Sequence, residues 1–203
     1  MLALWRRLAL PIVLLVAMSG IAQARDCTVE RMTGRDLQVS SGGGWHGVRP
    51  GDALSASSRI RTGASSRVQL RCDDGTVVTV GPSTLVDIGS LTGRGEENVL
   101  LRITNGIVGI VAPSRSWQSF RVKAPTLIAS VRSTTWLVEA SRERSSVFVR
   151  AGSVDVRTSS GAAATLQPGE GIDADGSGAT PGKRSWGAAR IAEAERRLGL
   201  NWR

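Results

Sequence analysis

The sequence predicts an all-β fold: a compact antiparallel roll or sandwich of many short strands, followed by a short C-terminal helix. Three observations carry this expectation. Between Asp36 and Ile172 apolar residues recur mostly at every second position, in short runs. Turn sequences separate the runs at close intervals. No stretch of helical period interrupts them, and a parallel α/β sheet needs crossover helices between its strands, so that class is excluded.

The strand-like runs follow in order. Leu37-Gln38-Val39, Arg59-Ile60-Arg61, Arg67 to Cys72, Thr76 to Val80 and Thr84 to Ile88 form the first half. Val99 to Ile103, Ile107 to Val111, Phe120 to Lys123, Trp136 to Glu139, Val147 to Val149 and Val154 to Arg157 form the second. The turns between them are Pro50-Gly51-Asp52, Asp74-Gly75, Gly81-Pro82, Asn105-Gly106, Ala151-Gly152 and Pro168-Gly169. Asn105-Gly106, between two apolar runs, predicts a hairpin, because both residues tolerate positive φ. Asp73-Asp74-Gly75 reads as turn chemistry, the aspartates bonding the local backbone. After Ile172 the pattern changes. Residues 173–184 form a polar linker, DADGSGATPGKR. The tail, 185–203, predicts a helix from Trp186 to Leu198, capped by Ser185 and stopped by Gly199. Ala188, Ile191, Glu195 and Leu198 share one face of it, so the apolar stripe is incomplete, and docking on the sheet is the expected use.

The N-terminus carries a targeting signal. Arg6 and Arg7 precede the apolar run Leu8 to Ala17, and Ala22-Gln23-Ala24 is the small-x-small pattern that a signal peptidase reads. Cleavage is expected after Ala24, leaving residues 25–172 as the β domain. The chain is then periplasmic or secreted, with no stable membrane insertion after cleavage. An oxidising compartment makes the two cysteines, Cys27 and Cys72, a candidate disulfide. Alternation places Val68, Leu70 and Cys72 on one inward face. Net charge falls from +9 to +7 with the loss of Arg6 and Arg7, and nearly all the positive charge is arginine. These arginines are spread along the strands at outward positions. That pattern reads as a solvated basic face and gives no nucleic-acid signature.

No catalytic, cofactor-binding or metal-binding group is expected. His46 is the only histidine, in the glycine-rich stretch Gly42 to Gly47, read as a loop. One histidine cannot supply a multi-histidine metal site, and no cysteine or carboxylate cluster has ligand spacing. No nucleophile elbow accompanies it, and no helix follows the glycines to make a dinucleotide fingerprint. Asp73-Asp74 and Glu96-Glu97 are adjacent pairs, which a strand points to opposite faces, so neither makes an acid–base couple. Six tryptophans and no tyrosine are present. Trp136, in an alternating strand, is expected in the core. Trp45 and Trp117, in loops or at strand starts, are the candidate contact surface, either as a stacking platform or as lids over the hydrophobic edge.

The order of motifs adds a resemblance. Gly47-Val48-Arg49-Pro50-Gly51-Asp52 is followed by Arg59-Ile60-Arg61-Thr62-Gly63, Val68-Gln69-Leu70, Asp74-Gly75-Thr76 and Gly81-Pro82-Ser83-Thr84. Then come Asn105 to Val108, Val122 to Thr126, Val131-Arg132-Ser133-Thr134, Ala151 to Val156 and Leu166 to Glu170. From about Asp36 to Ile172 this resembles the FecR domain of iron-citrate signalling proteins. Ser133 stands where that family's late motif, Val-Arg-Gly-Thr, has glycine. The iron-citrate regulator carries a cytoplasmic segment and a membrane span before the domain, whereas here a signal peptide precedes it directly. The resemblance therefore implies an exported β domain that works through protein contact, not the iron-signalling role itself. The expected function is a non-enzymatic binding or interaction module, its partner another envelope protein and its setting envelope signalling or sensing. The alternative is a binder of anionic or saccharide envelope polymer, using outward arginines and loop tryptophans.

Overall fold

The computed structural model describes residues 24–25, 27–55, 57–91, 93–94, 98–113, 119–131, 133–177 and 182–199. The signal segment up to residue 23, Glu96-Glu97, Trp117 and Trp202 lie outside the described residues. The strands are β1 (Ala24–Arg25), β2 (Cys27–Thr33), β3 (Leu37–Ser40), β4 (His46–Gly47), β5 (Ala53–Leu54) and β6 (Arg59–Thr62). They continue as β7 (Arg67–Cys72), β8 (Val77–Val80), β9 (Leu85–Asp87), β10 (Gly93–Arg94), β11 (Asn98–Ala112), β12 (Ser119–Ala124) and β13 (Leu127–Val131). The last are β14 (Thr134–Ala140), β15 (Arg144–Ala151), β16 (Val154–Thr158), β17 (Ala163–Leu166), β18 (Glu170–Asp175) and β19 (Arg184–Ser185), before the helix α1 (Ala188–Leu198).

Apart from a two-stranded ribbon of β1 and β10, the described strands form two sheets that share one strand. The first runs β5–β2–β7–β8–β11–β14–β15–β18–β19. The second runs β4–β3–β6–β9–β11–β12–β13–β16–β17. The pairing is antiparallel except between β11 and β12, which run parallel. The chain passes back and forth between the sheets. Inward residues of both, among them Leu70, Val80, Ile110, Val138 and Val149 from the first and Ile60, Leu101, Phe120, Ala129 and Val156 from the second, form one core around Trp136. Period-two alternation therefore marks the inward face correctly through most of the chain.

The sheets meet at Asn105-Gly106, and here the hairpin expectation is overturned. β11 continues through both residues. Its first half pairs with β9 and β12, and its second half, from Gly106, pairs with β8 and β14. The register against β9 slips between Ile103 and Asn105, and Gly106 has φ of 102°. A bulge of this kind bends a strand, so the residues that would reverse a hairpin instead turn one strand from one sheet into the other. Space matters as well. A Cβ on Gly106 would lie 2.1 Å from Thr84 Oγ1, which itself accepts a hydrogen bond from Ile107 N at 3.0 Å. Gly106→Ala should cost about 1–3 kcal/mol in urea unfolding. A change under roughly 0.5 kcal/mol would show that the bend does not depend on glycine.

The C-terminal segment also departs from expectation. β18 extends to Asp175, and Arg184–Ser185 pairs with it as β19, so both ends of the expected linker are sheet. Ser185 is thus a strand residue and does not cap the helix. Gly187 holds the N-cap position without a side-chain bond, and α1 begins at Ala188. Trp186 stays outside the helix because its ring is committed to the sheet. It stacks on Phe148 at 4.9 Å between centroids, and it crosses Gly171 so closely that a Cβ there would lie 2.1 Å from Nε1. Gly199 does end the helix, its N–H donating to Glu195 O at 2.8 Å.

Helix α1 covers the outer face of the first sheet. Ile191, Ala194 and Leu198, spaced three and four apart, join Trp186 over Ile107, Leu137 and Phe148. This second apolar layer explains why β15 is buried on both faces, with Val147 and Val149 inward and Phe148 outward beneath the tail. Glu195 does not join the apolar stripe. It lies at the margin and pairs with Arg150.

Candidate interaction surface

Cys27 and Cys72 are joined by a disulfide, their Cα atoms 4.0 Å apart and directly opposite in the β2–β7 ladder. Both are buried, and the bond crosslinks β2 to β7 within the first sheet.

His46 lies in β4, a two-residue strand paired with β3, and not in a loop. It is exposed and lines a depression of about 240 Å³ with Ser41, Asp52, Ser55 and Ser58. The serines are bonded among themselves: Ser58 Oγ donates to Ser55 O at 2.7 Å and lies 3.0 Å from Ser41 Oγ. Asp52 Oδ2 accepts the Arg49 N–H at 2.7 Å, as a turn aspartate does. Within the described residues no hydrogen bond links His46 to Asp52 or to a serine, and a base needs such an orienting contact. Among the described residues no group of three or more histidines, cysteines and acids could hold a metal. His46→Ala should leave the urea midpoint within roughly ±0.5 kcal/mol of the parent. Trp45→Ala should move it further.

Trp45 immediately precedes β4 and lies on the outer face of the second sheet. Its ring centroid is 4.4 Å from the Arg61 guanidinium and 5.6 Å from that of Arg59. The ring is thus engaged by two arginines of the neighbouring strand β6. Arg61 Nε also donates to Gln38 Oε1 at 2.6 Å.

The two outer faces treat their arginines differently. Beneath α1 the charges are paired. Arg190 makes two bonds to Asp173, 2.5 and 2.8 Å, and lies 3.8 Å from Glu139. Arg197 reaches Glu139 at 2.5 Å, and Arg67 Nε donates to the Arg197 carbonyl at 2.5 Å near the helix end. The hydrogen bonds from Arg190 hold the Asp173 carboxyl below its ordinary range; partial burial opposes this, and Ser146 adds to it. A carboxyl with a depressed folded pKa contributes stability that is present above the unfolded value and is lost as pH falls through the folded one. Thermal melts should thus show the midpoint falling below about pH 4, and Asp173→Asn should flatten that dependence.

The outer face of the second sheet carries no covering element among the described residues. One row across it, set by strand register, is Arg59, Asp87, Arg102, Lys123, Ile128 and Arg157. Arg121 lies in the adjoining row, opposite Ser130. Arginines spread through the sequence are thereby gathered on one surface, which corrects the expectation of scatter: sequence order does not show which strands become neighbours.

The described residues form a disulfide-linked β sandwich with a helix over one sheet and a charged face on the other. Residues 58–155 match the family described as FecR protein. The match covers just under half of the chain, and that segment is what resembles the FecR family. Two crystal structures of a proposed anti-sigma factor from Parabacteroides distasonis ATCC 8503, at 2.50 Å and 1.65 Å resolution, share the fold. Each has a TM-score of 0.56 and 21% identity, over 66% of this chain and 62% of the other. The likeness thus spans about three-fifths of the length of those chains. No curated protein matches this chain. No helix among the described residues is long and apolar enough to cross a membrane.

Proposed function

We propose that the chain is an exported, non-catalytic module that acts through contact with another protein of the bacterial envelope, in signalling or sensing. The FecR match over residues 58–155 is the observation that carries this reading. Two further features support it. The fold is shared with a proposed anti-sigma factor. Trp45 stands beside β4, a short strand paired with β3 alone among the described residues, the kind of edge that can accept a partner strand. Trp117 is the other candidate contact on the sequence reading. Export rests on Arg6-Arg7, the apolar run and Ala22-Gln23-Ala24.

The test is in place, in the envelope. The full-length gene is expressed with a photoreactive residue at Gly47, and the processed chain is recovered after irradiation. The expected result is a mature N-terminus at Arg25 and a discrete polypeptide adduct. A chain that still begins at Met1 in the membrane fraction would overturn export. Adducts to glycan alone would overturn the protein-contact reading in favour of the polymer-binding one.

A further inference from the structure

The chain treats its two outer sheet faces in opposite ways. Over the first sheet, Arg150, Arg190 and Arg197 each have a carboxylate partner, and α1 shields the apolar side chains. Over the second sheet, Arg102, Arg121, Lys123 and Arg157 are exposed, and none makes an ion pair with a described residue. Two acids share that face, Asp87 between Arg59 and Arg102 in the row and Asp155 opposite Ser130, each with one oxygen accepting a neutral donor, from Gly89 N–H at 2.9 Å and the Thr165 hydroxyl at 2.7 Å; the cations outnumber them. Arg102 and Lys123 are direct cross-strand neighbours, a like-charge pairing that disfavours the folded sheet. The same face carries both of the exposed large hydrophobic residues among the described ones, Leu85 at 36% and Ile128 at 37% exposure. Beyond Ile128, Ser130, Asp155, Arg157, Ala163 and Thr165 line a shallow depression of about 530 Å³.

We infer that this face, centred on Arg121, Lys123 and Ile128, is the docking surface for an acidic surface of an envelope protein. The inference rests on the protein-contact reading and names the surface and the partner's chemistry. Charge complementarity sets the sign of the partner: four exposed cations unpaired by described residues over neighbouring strands favour carboxylates opposite them. The apolar residues fix its kind. Ile128 lies in the row between Lys123 and Arg157, and a purely anionic polymer has nothing to place against it, whereas a protein surface presents carboxylates and aliphatic side chains together. From β6 to β16 the row crosses six strands, roughly 24 Å at the usual strand spacing, which is broad enough for a folded partner.

The experiment compares two photoreactive positions in the full-length chain expressed in its envelope: Ser130 on the face and Gly47 at the β4 edge. A polypeptide adduct is expected at Ser130. Arg121→Glu with Lys123→Glu should reduce it at least tenfold, while Arg196→Glu, on the exposed side of α1, should not. Arg157→Gln removes charge without reversing it and should give a smaller loss in the same direction, which separates lost docking from misfolding. Purified chain is also titrated against dextran sulfate and against vesicles containing phosphatidylglycerol. Adducts at Gly47 with none at Ser130 would overturn this inference and leave the protein-contact reading standing. No polypeptide adduct at either position would overturn both. Charge-dependent binding confined to dextran sulfate or to the vesicles would replace the acidic protein with an anionic polymer or lipid surface.

Discussion

Trp186→Ala is expected to lower the unfolding free energy by about 3–5 kcal/mol, the range for removing a large buried aromatic side chain. Trp186 is 5% exposed and holds α1 at its N-terminal end. It stacks on Phe148, lies 3.5 Å beneath the Arg190 guanidinium and fits against a glycine, Gly171, that leaves room for its ring. Its Nε1 is buried without a hydrogen-bond partner among the described residues, so packing, not a polar bond, retains it. Removing the ring takes away the stack, the cation–π contact and the contact with Gly171 together. The remaining helix buries only Ala194 and Leu198 fully, and its ion pairs to Asp173, Glu139 and Arg150 are partly exposed and individually weak, too little to hold eleven residues that an isolated peptide would not keep helical. The chain should therefore lose α1 before it loses the sheets. Hydrogen exchange should show helix amides exchanging early, with Phe148 and Leu137 newly exposed to limited proteolysis nearby. Trp186→Phe should recover a substantial part of the loss. If the alanine variant retained both its urea midpoint and its helix protection, the tail would not be fastened through this residue.

Replacing Cys27 and Cys72 by serine is expected to cost about 4 kcal/mol, from the chain entropy regained by the unfolded state when the crosslink across 45 residues is removed. The position of the bond adds a local effect. Cys27 begins β2 and Cys72 ends β7, so the link fixes the first strand of its sheet to a central neighbour. Without it, β2 would keep its ladder to β7 and its short pairing with β5, and its N-terminal end should fray. Thiol counting on the denatured, unreduced protein should find no free thiol. Urea unfolding with and without reductant should reproduce most of the loss seen in the double serine variant. Two free thiols per chain would contradict the bond, and an unchanged midpoint after full reduction would remove its stabilising role.

Much of the fold is local information. The alternation of Val68, Leu70 and Cys72, or of Trp136 and Val138, depends only on the two-residue period of an extended chain, so the inward side chains can be read off without knowing what they meet. Turn chemistry is local too. Asp74 accepts the Thr76 N–H at 2.8 Å and Asp52 accepts the Arg49 N–H, both within three residues. Gly199 stops its helix for the same reason, because a positive φ of 54° is a property of one residue.

Where the reading went astray, distant residues decided the outcome. Asn105-Gly106 has the local chemistry of a hairpin, yet the strand runs on because β8 and β14 take up its second half while β9 and β12 hold its first. Ser185 has the chemistry of a cap, but Glu170 claims it as a strand partner and Phe148 draws Trp186 out of the helix. His46 sits in a glycine-rich stretch that reads as a loop, and pairing with Val39 makes it a strand. The charged face is the clearest case. Arg59, Arg102, Lys123 and Arg157 are separated by 20 residues or more in sequence, and they form one row only because the register of six strands brings them side by side. The sequence by itself determined most of the inward-pointing side chains, most of the turns and which family its motifs resemble, since each depends on neighbours a few positions away. Tertiary structure alone decided which strands pair, which outer face the helix covers and which arginines are left facing solvent together, because pairing is a contest among segments distant in the chain and is settled by how they pack.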